Sequence, residues 1–171
     1  MSRIQLKNVR LSYPSLFSPA VFEGKEGKYE ATFLIPKSDT KTKAKIDKAI
    51  EAALTEAKIK GNIPTDKYCL KDGDDHEDEN YHGHWTLKAG NAKRPTVIDS
   101  DKTPLVEADE RIYAGCYVYA IIDIWIQNNK WGKRVNSNLY GVMFYADGEP
   151  FGMGPINVTD DFDDIDVDEE L

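Results

Sequence analysis

A chain of 171 residues with 40% hydrophobic and 30% charged side chains is long enough for one domain with a proper core. No apolar run approaches the length that spans a bilayer, and the amphipathic start, Ser2 to Ser12, is no secretory signal, so the expectation is a soluble, intracellular protein. The formal charge of −8 argues at first against a nucleic-acid partner, but eight acids and no base lie between Asp160 and Glu170. Without them the chain holds 22 acids against 22 Lys plus Arg, and a second acidic cluster at Asp72 to Glu79 leaves the remaining surface net basic. Cys69 and Cys116, the only cysteines, read as free thiols of a reducing compartment.

Residues 3 to 13 read as a first strand with a slip of phase. Ile4 and Leu6 alternate on one parity, while Val9, Leu11 and Tyr13 alternate on the other; a bulge near Lys7-Asn8 turns both sets toward the core. Such bending suits a small closed barrel. Pro14 to Gly27 is a loop carrying Phe17 and Phe22, and Tyr29 to Ile35 is a second strand closed by Pro36. Ser38 to Lys60 is the one clear helix. Ser38 or Asp39 can cap its start, Gly61 stands where a left-handed residue belongs, and Ile46, Ala49, Ile50, Ala53, Leu54 and Ala57 make a narrow apolar stripe. Its lysines, Lys41, Lys43, Lys45 and Lys48, face outward and read first as a solvated face.

Asn62 to Gly83 is irregular, and its six acids between Asp72 and Glu79 stand beside His76, His82 and His84. The start Asp72-x-Asp74-x-His76 breaks from a calcium loop at Glu77, where glycine is needed, and neither HExxH nor paired cysteine spacing occurs. A solvated acidic loop is expected, with no metal and no cofactor. His84 to Ala89 is a third strand with Trp85, Leu87 and Ala89 on one face, and Thr96 to Ile98 comes after it. Asp99 to Ala114 is a loop.

Gly115 to Tyr145 reads as one long antiparallel hairpin turning at Gln127-Asn128-Asn129-Lys130. Cys116, Val118, Ala120, Ile122, Ile124 and Ile126 form a uniformly apolar face. The opposite face carries Tyr117, Tyr119, Ile121, Asp123 and Trp125, either covered by a second layer or open as a stacking platform. On the returning strand Arg134, Asn136, Asn138 and Tyr140 share one face, opposite Val135, Leu139 and Met143. Five or so bent strands with one interrupting helix outline a mainly β, OB-like antiparallel barrel over residues 1–150. An unrelated sheet with a helix packed on it would give much the same pattern.

Signatures of catalysis are lacking: no Gly-x-Ser-x-Gly, no Walker loop and no Cys-His pair, and the carboxylates crowd into two mobile-looking stretches. Single-strand binding needs aromatic faces and a path of cations. Tyr117, Tyr119, Trp125, Trp131 and Trp85 are the aromatic candidates, although Trp85 shares its face with Leu87 and leans toward the core. Lys88, Lys93 and Arg94 cluster after the third strand, and Lys130, Lys133 and Arg134 cluster at the hairpin tip.

Residues 151–171 read as a Gly/Pro-rich linker and an acidic tail too poor in apolar groups to fold alone. Its carboxylates, Asp160, Asp161, Asp163, Asp164, Asp166, Asp168, Glu169 and Glu170, can mimic a phosphate chain in the basic groove. Its spaced Phe162, Ile165, Val167 and Leu171 can anchor partner enzymes. Two rivals compete with DNA binding: an acidic adaptor or DNA-mimic inhibitor whose aromatics are core, and a metal-dependent nuclease built on His76 and His82.

The order of features resembles the phage-type single-stranded DNA-binding proteins, an OB-fold group with an acidic C-terminal tail. The likeness runs through Leu11-Ser12-Tyr13-Pro14, Ala31-Thr32-Phe33-Leu34-Ile35-Pro36-Lys37 and Leu70-Lys71-Asp72-Gly73-Asp74. It continues in Gly83-His84-Trp85, Arg94-Pro95, Tyr113-Ala114-Gly115-Cys116-Tyr117-Val118 and Asp147-Gly148-Glu149-Pro150. The resemblance implies a non-enzymatic protein in the cytoplasm of an infected bacterial host. It would coat exposed strands during replication or recombination and recruit enzymes through its tail.

Overall fold

The computed structural model describes residues 3–22 and 24–151. The expected linker and tail, apart from Phe151, lie outside the described residues. The long strands are β1 (Ile4–Ser15), β4 (Tyr29–Pro36), β6 (His84–Asn91), β8 (Tyr117–Asn129) and β9 (Gly132–Ala146). Shorter ones are β2 (Val21–Phe22), β3 (Lys25–Glu26), β5 (Leu70–Asp72) and β7 (Thr96–Ile98); the helix is α1 (Thr40–Glu56). Hydrogen-bonded neighbours run β5-β6-β4-β1-β8-β9-β7, and a further contact between β6 and β9 closes β6-β4-β1-β8-β9 into an OB-like barrel. The four pairings β1–β4, β1–β8, β4–β6 and β8–β9 are antiparallel, whereas the closing contact is parallel and consists of the single pair Gly90 and Asn138.

Alternation places the core. Ile4, Leu6, Val9 and Leu11 of β1 meet Val118, Ala120, Ile122 and Ile124 of β8 inside the barrel, with Phe33, Leu87 and Leu139 from the other strands. The slip of phase in β1 falls where the sequence places it: register shifts between Leu6 and Val9, and Asn8 takes a φ of 54°. A second slip departs from the expected pattern. Tyr13 has a φ of 46° and is 67% exposed, while Ser12 turns inward, so Tyr13 leaves the core face. The returning strand also bulges, at Tyr140, because Ile121 pairs with Gly141 but Ile122 with Leu139. The extra residue reverses parity beyond it, and Met143 therefore sits outside, opposite Tyr119, not with Val135 and Leu139.

The helix is shorter than its pattern. Asp39 caps it, its carboxylate accepting from the Thr42 amide. The left-handed residue that closes it is Lys58, not Gly61: Lys58 adopts a φ of 53°, its amide donates to Thr55 O, and the Ile59 amide reaches back to Leu54 O. That pair of bonds is a Schellman ending, sealed by Leu54 and Ile59 packed on the core. Ile46 and Ile50 are buried where α1 covers β1 and β8.

The acidic loop is tied down rather than loose. Lys37 Nζ lies 2.7 Å from Asp72 and 2.6 Å from Asp74, and Asp74 also accepts from the Gly83 amide. Gly73 is wedged so tightly that a Cβ would stand 2.1 Å from Tyr81 O. The chain also leaves the barrel under restraint at Asp147–Phe151: the Tyr113 hydroxyl donates to Asp147, and Arg10 donates to Glu149 O.

Candidate nucleic-acid interface

Because β6 and β9 touch at one residue pair only, they diverge on one side of the seam, and the chain around Tyr68 fills the gap. Tyr68 bridges Val135, the Cys69 amide donates to Val135 O at 2.8 Å, and Cys69 O accepts from the Lys88 amide at 3.0 Å. This segment walls a groove of about 540 Å³ that crosses the outer faces of β4, β6, β9 and β8. Thr86, Lys88 and Gly90 come from β6, Glu30 and Thr32 from β4, Trp125 and Gln127 from β8, and Arg134, Asn136 and Asn138 from β9.

Aromatic rings stand at both sides. Trp125 and Tyr68 are half-buried beside the strand floor. Opposite, Tyr13 meets Tyr81 edge-on at 6.4 Å, and His76 tilts over Tyr81 at 4.2 Å. Tyr81 is held by a 2.6 Å hydrogen bond with the Ser12 hydroxyl. Cations line the rim: Lys28, Lys67, Lys71, Lys88 and Arg134. Only Lys88 among them has an ion-pair partner among the described residues, Glu30 at 3.6 Å. Asn136 donates to Gln127 at 3.1 Å, and Ser137 Oγ is buried without a hydrogen-bond partner among the described residues. Burial pushes the Cys69 thiol up to about 12, so it stays neutral in the wall.

Of the residues singled out from sequence, the groove brings together Trp125, Lys88 and Arg134. Trp85 lies under Lys37 and Lys43, 4.8 and 4.5 Å from its ring centre, packed against the core beside α1. Lys93 and Arg94 are exposed past the seam, with Arg94 5.5 Å from the Phe17 ring. Tyr117 and Tyr119 lie on the opposite side of the barrel; Arg10 stands 5.8 Å from the first, and Tyr145 meets the second edge-on at 5.1 Å. Trp131 is 75% exposed at the hairpin tip beside Lys130, beyond the groove, and Lys133 donates to Lys60 O. The turn itself is Lys130-Trp131, slightly later than expected, with Gly132 taking a φ of 109°.

The groove also gathers Tyr13, Tyr68, Lys28, Lys67 and Lys71, which no binding motif marks in the sequence. The aromatic step Tyr13-Pro14 and the Lys67-Tyr68 pair were visible, but nothing in their spacing tied them to the hairpin. Among the described residues no three of His, Cys, Asp and Glu gather as a metal site would require. His76 and His82 instead serve the loop's own hydrogen bonds: Asp78 N donates to His76 Nδ1, and His82 Nε2 lies 2.9 Å from His76 O.

A closed OB-type barrel with a polar groove across its strands is a frame on which binding proteins are built. Residues 2–171 match the family model described as Enterobacter phage Enc34, ssDNA-binding protein, and the chain belongs to that family. It is similar to the single-stranded DNA-binding protein of bacteriophage Enc34, solved in complex with ssDNA, at 37% identity and a TM-score of 0.81, covering 88% of this chain and 89% of that one. It is 39% identical to protein p50 of Acyrthosiphon pisum secondary endosymbiont phage 1, over 98% of this chain and 96% of the relative. Bacteriophage T7 gp2.5, at 15% identity and a TM-score of 0.61 over 90% and 96% of the two chains, shares the fold.

Proposed function

We propose that this chain binds single-stranded DNA in the groove between Trp125 and the Tyr13–Tyr81–His76 cluster, largely without regard to sequence. The observation that carries the reading is the meeting of the exposed Tyr13 and the half-buried Tyr68 and Trp125 with Lys28, Lys67, Lys71 and Arg134 around one groove, four cations without an ion-pair partner among the described residues. Bases stack on such rings for roughly 1–3 kcal/mol each, and neither stacking nor phosphate contact conveys much base identity. Duplex hides its base faces and suits the groove poorly. The complex of the Enc34 relative with ssDNA supports the assignment.

In this reading the protein coats strands exposed during phage DNA replication and recombination in the host cytoplasm. The tail, Asp160 to Leu171, competes for the groove when DNA is absent and recruits replication or recombination enzymes. The domain boundary falls near residue 150.

A titration of oligonucleotides against tryptophan fluorescence over a salt series tests this. Four neutralised phosphates give a slope of log K against log salt of about −3, at about −0.7 per contact. An absent slope and unquenched fluorescence would leave the acidic-adaptor reading in its place. Truncation after Val158 should raise strand affinity and abolish partner binding; unchanged affinity removes the competition by the tail.

A further inference from the structure

On the side of the barrel away from the groove, two depressions join through the shared residues Arg3, Gln5 and Ile121. One, of about 820 Å³, lies between α1 and β1, floored by Ala49, Ala53 and Ile124. The other, of about 500 Å³, crosses β8 and β9 over Tyr119 and Met143. The combined trough is apolar along its floor, and its charged lining is lopsided. Arg3, Lys7, Lys45 and Lys48 stand against a single carboxylate, Glu56. None of the four cations has a carboxylate partner among the described residues.

The described chain ends beside it. Phe151 is fixed by the hydrogen bond its amide donates to Ala114 O and by Arg10, 4.2 Å from its ring. Arg10 pairs with Tyr117, one step along the same outer face from Tyr119 in the trough, a distance of about 7 Å for two strand residues. The eight residues from Gly152 to Thr159 reach about 27 Å when extended, ample to bring the first acid over Tyr119 at the near end of the trough. From Asp160 onward, acids are interspersed with Phe162, Ile165, Val167 and Leu171, the composition an apolar floor with a cationic rim accepts.

We propose that the chain's own C-terminal segment, residues 160–171, docks in this rear trough, and that it rests there when DNA holds the groove. The groove is polar along its floor, so it satisfies the tail's carboxylates but not its four apolar side chains. The trough satisfies both. The tail then has two berths, and displacement from the groove is a transfer between them. This builds on the groove reading only through the second berth.

Carbodiimide coupling of carboxylates to lysines in the full-length protein, mapped by mass spectrometry with and without a saturating oligonucleotide, tests it. DNA saturation is followed separately by tryptophan fluorescence, so failure to bind DNA counts against the groove reading alone. The expected result is tail links to Lys7, Lys45 and Lys48 that persist or grow with DNA present. The Lys7→Glu/Lys45→Glu/Lys48→Glu variant should carry about tenfold less tail density on the trough, read as links from the tail to an amine introduced by Gln5→Lys. Links confined to Lys67 and Lys71, or none in the DNA-saturated protein, overturn the proposal. Mixing isotopically light and heavy protein checks the source: links joining light to heavy chains make a second copy the occupant and overturn docking within one chain.

Discussion

The groove and the rear trough contain similar residue types, yet their floors differ in chemistry. In the trough, aromatic groups are already engaged: the Tyr140 hydroxyl donates to Asp123 at 2.6 Å, and Tyr119 packs edge-on against Tyr145. Its floor of Ile, Ala and Met offers no hydrogen bonds. In the groove, Tyr13 stands open, and Trp125 and Tyr68 lie beside Thr32, Thr86, Asn136 and Asn138. A count of aromatic and basic residues cannot separate the two faces. The hydrogen-bonding character of the floor does.

The sharpest way to break the contrast is to remove one ring from each face. Trp125→Ala should weaken oligonucleotide binding by about 1–3 kcal/mol in an anisotropy titration, whereas Tyr119→Ala should leave affinity within about twofold. Equal losses would erase the distinction. Charge gives a finer test. Arg134→Gln should flatten the salt slope by about 0.7, and Lys48→Gln should leave it unchanged.

The smallest effect concerns pH. The Lys37 ammonium holds the Asp72 carboxyl below its usual range, and the Gly83 amide, then Lys37, does the same for Asp74. Their folded values are depressed, so their contribution is whole above the ordinary carboxylate range and disappears as pH falls through the lowered values. Lys37→Ala should therefore move the acid-induced loosening of the 72–83 loop to higher pH, followed by hydrogen exchange at the Gly83 amide. An unmoved midpoint would mean that Lys37 does not hold this wall of the groove.

The barrel's interior was legible because alternation is strict where one face is sealed. Val118, Ala120, Ile122 and Ile124 are buried as their parity demands, and the Lys7-Asn8 slip announces itself by a change of phase. The slips at Tyr13 and Tyr140 carry no such mark: Tyr13 takes a left-handed φ where glycine would have given a signal, and Tyr140 is an ordinary strand former. Tyr119 and Trp125 share parity along one strand, but a long strand coiling around a closed barrel presents its two ends to different sides. Tyr68, Lys67 and Lys71 belong to a segment with no period, placed by backbone bonds from Cys69 to both Val135 and Lys88 and by the pairing of β5 with β6. The OB-like architecture was thus readable from local pattern, whereas the composition of the groove depended on closure.

That closure is the barrel's thinnest point, one residue pair at Gly90 and Asn138, and the groove straddles it. A strand bound as proposed would rest on Lys88 on one bank and Arg134 on the other, lacing together what the backbone barely joins. Ligand would then act as a rivet: the amides flanking Gly90 should exchange more slowly in the complex than in the free protein, so occupancy hardens the container as well as filling it.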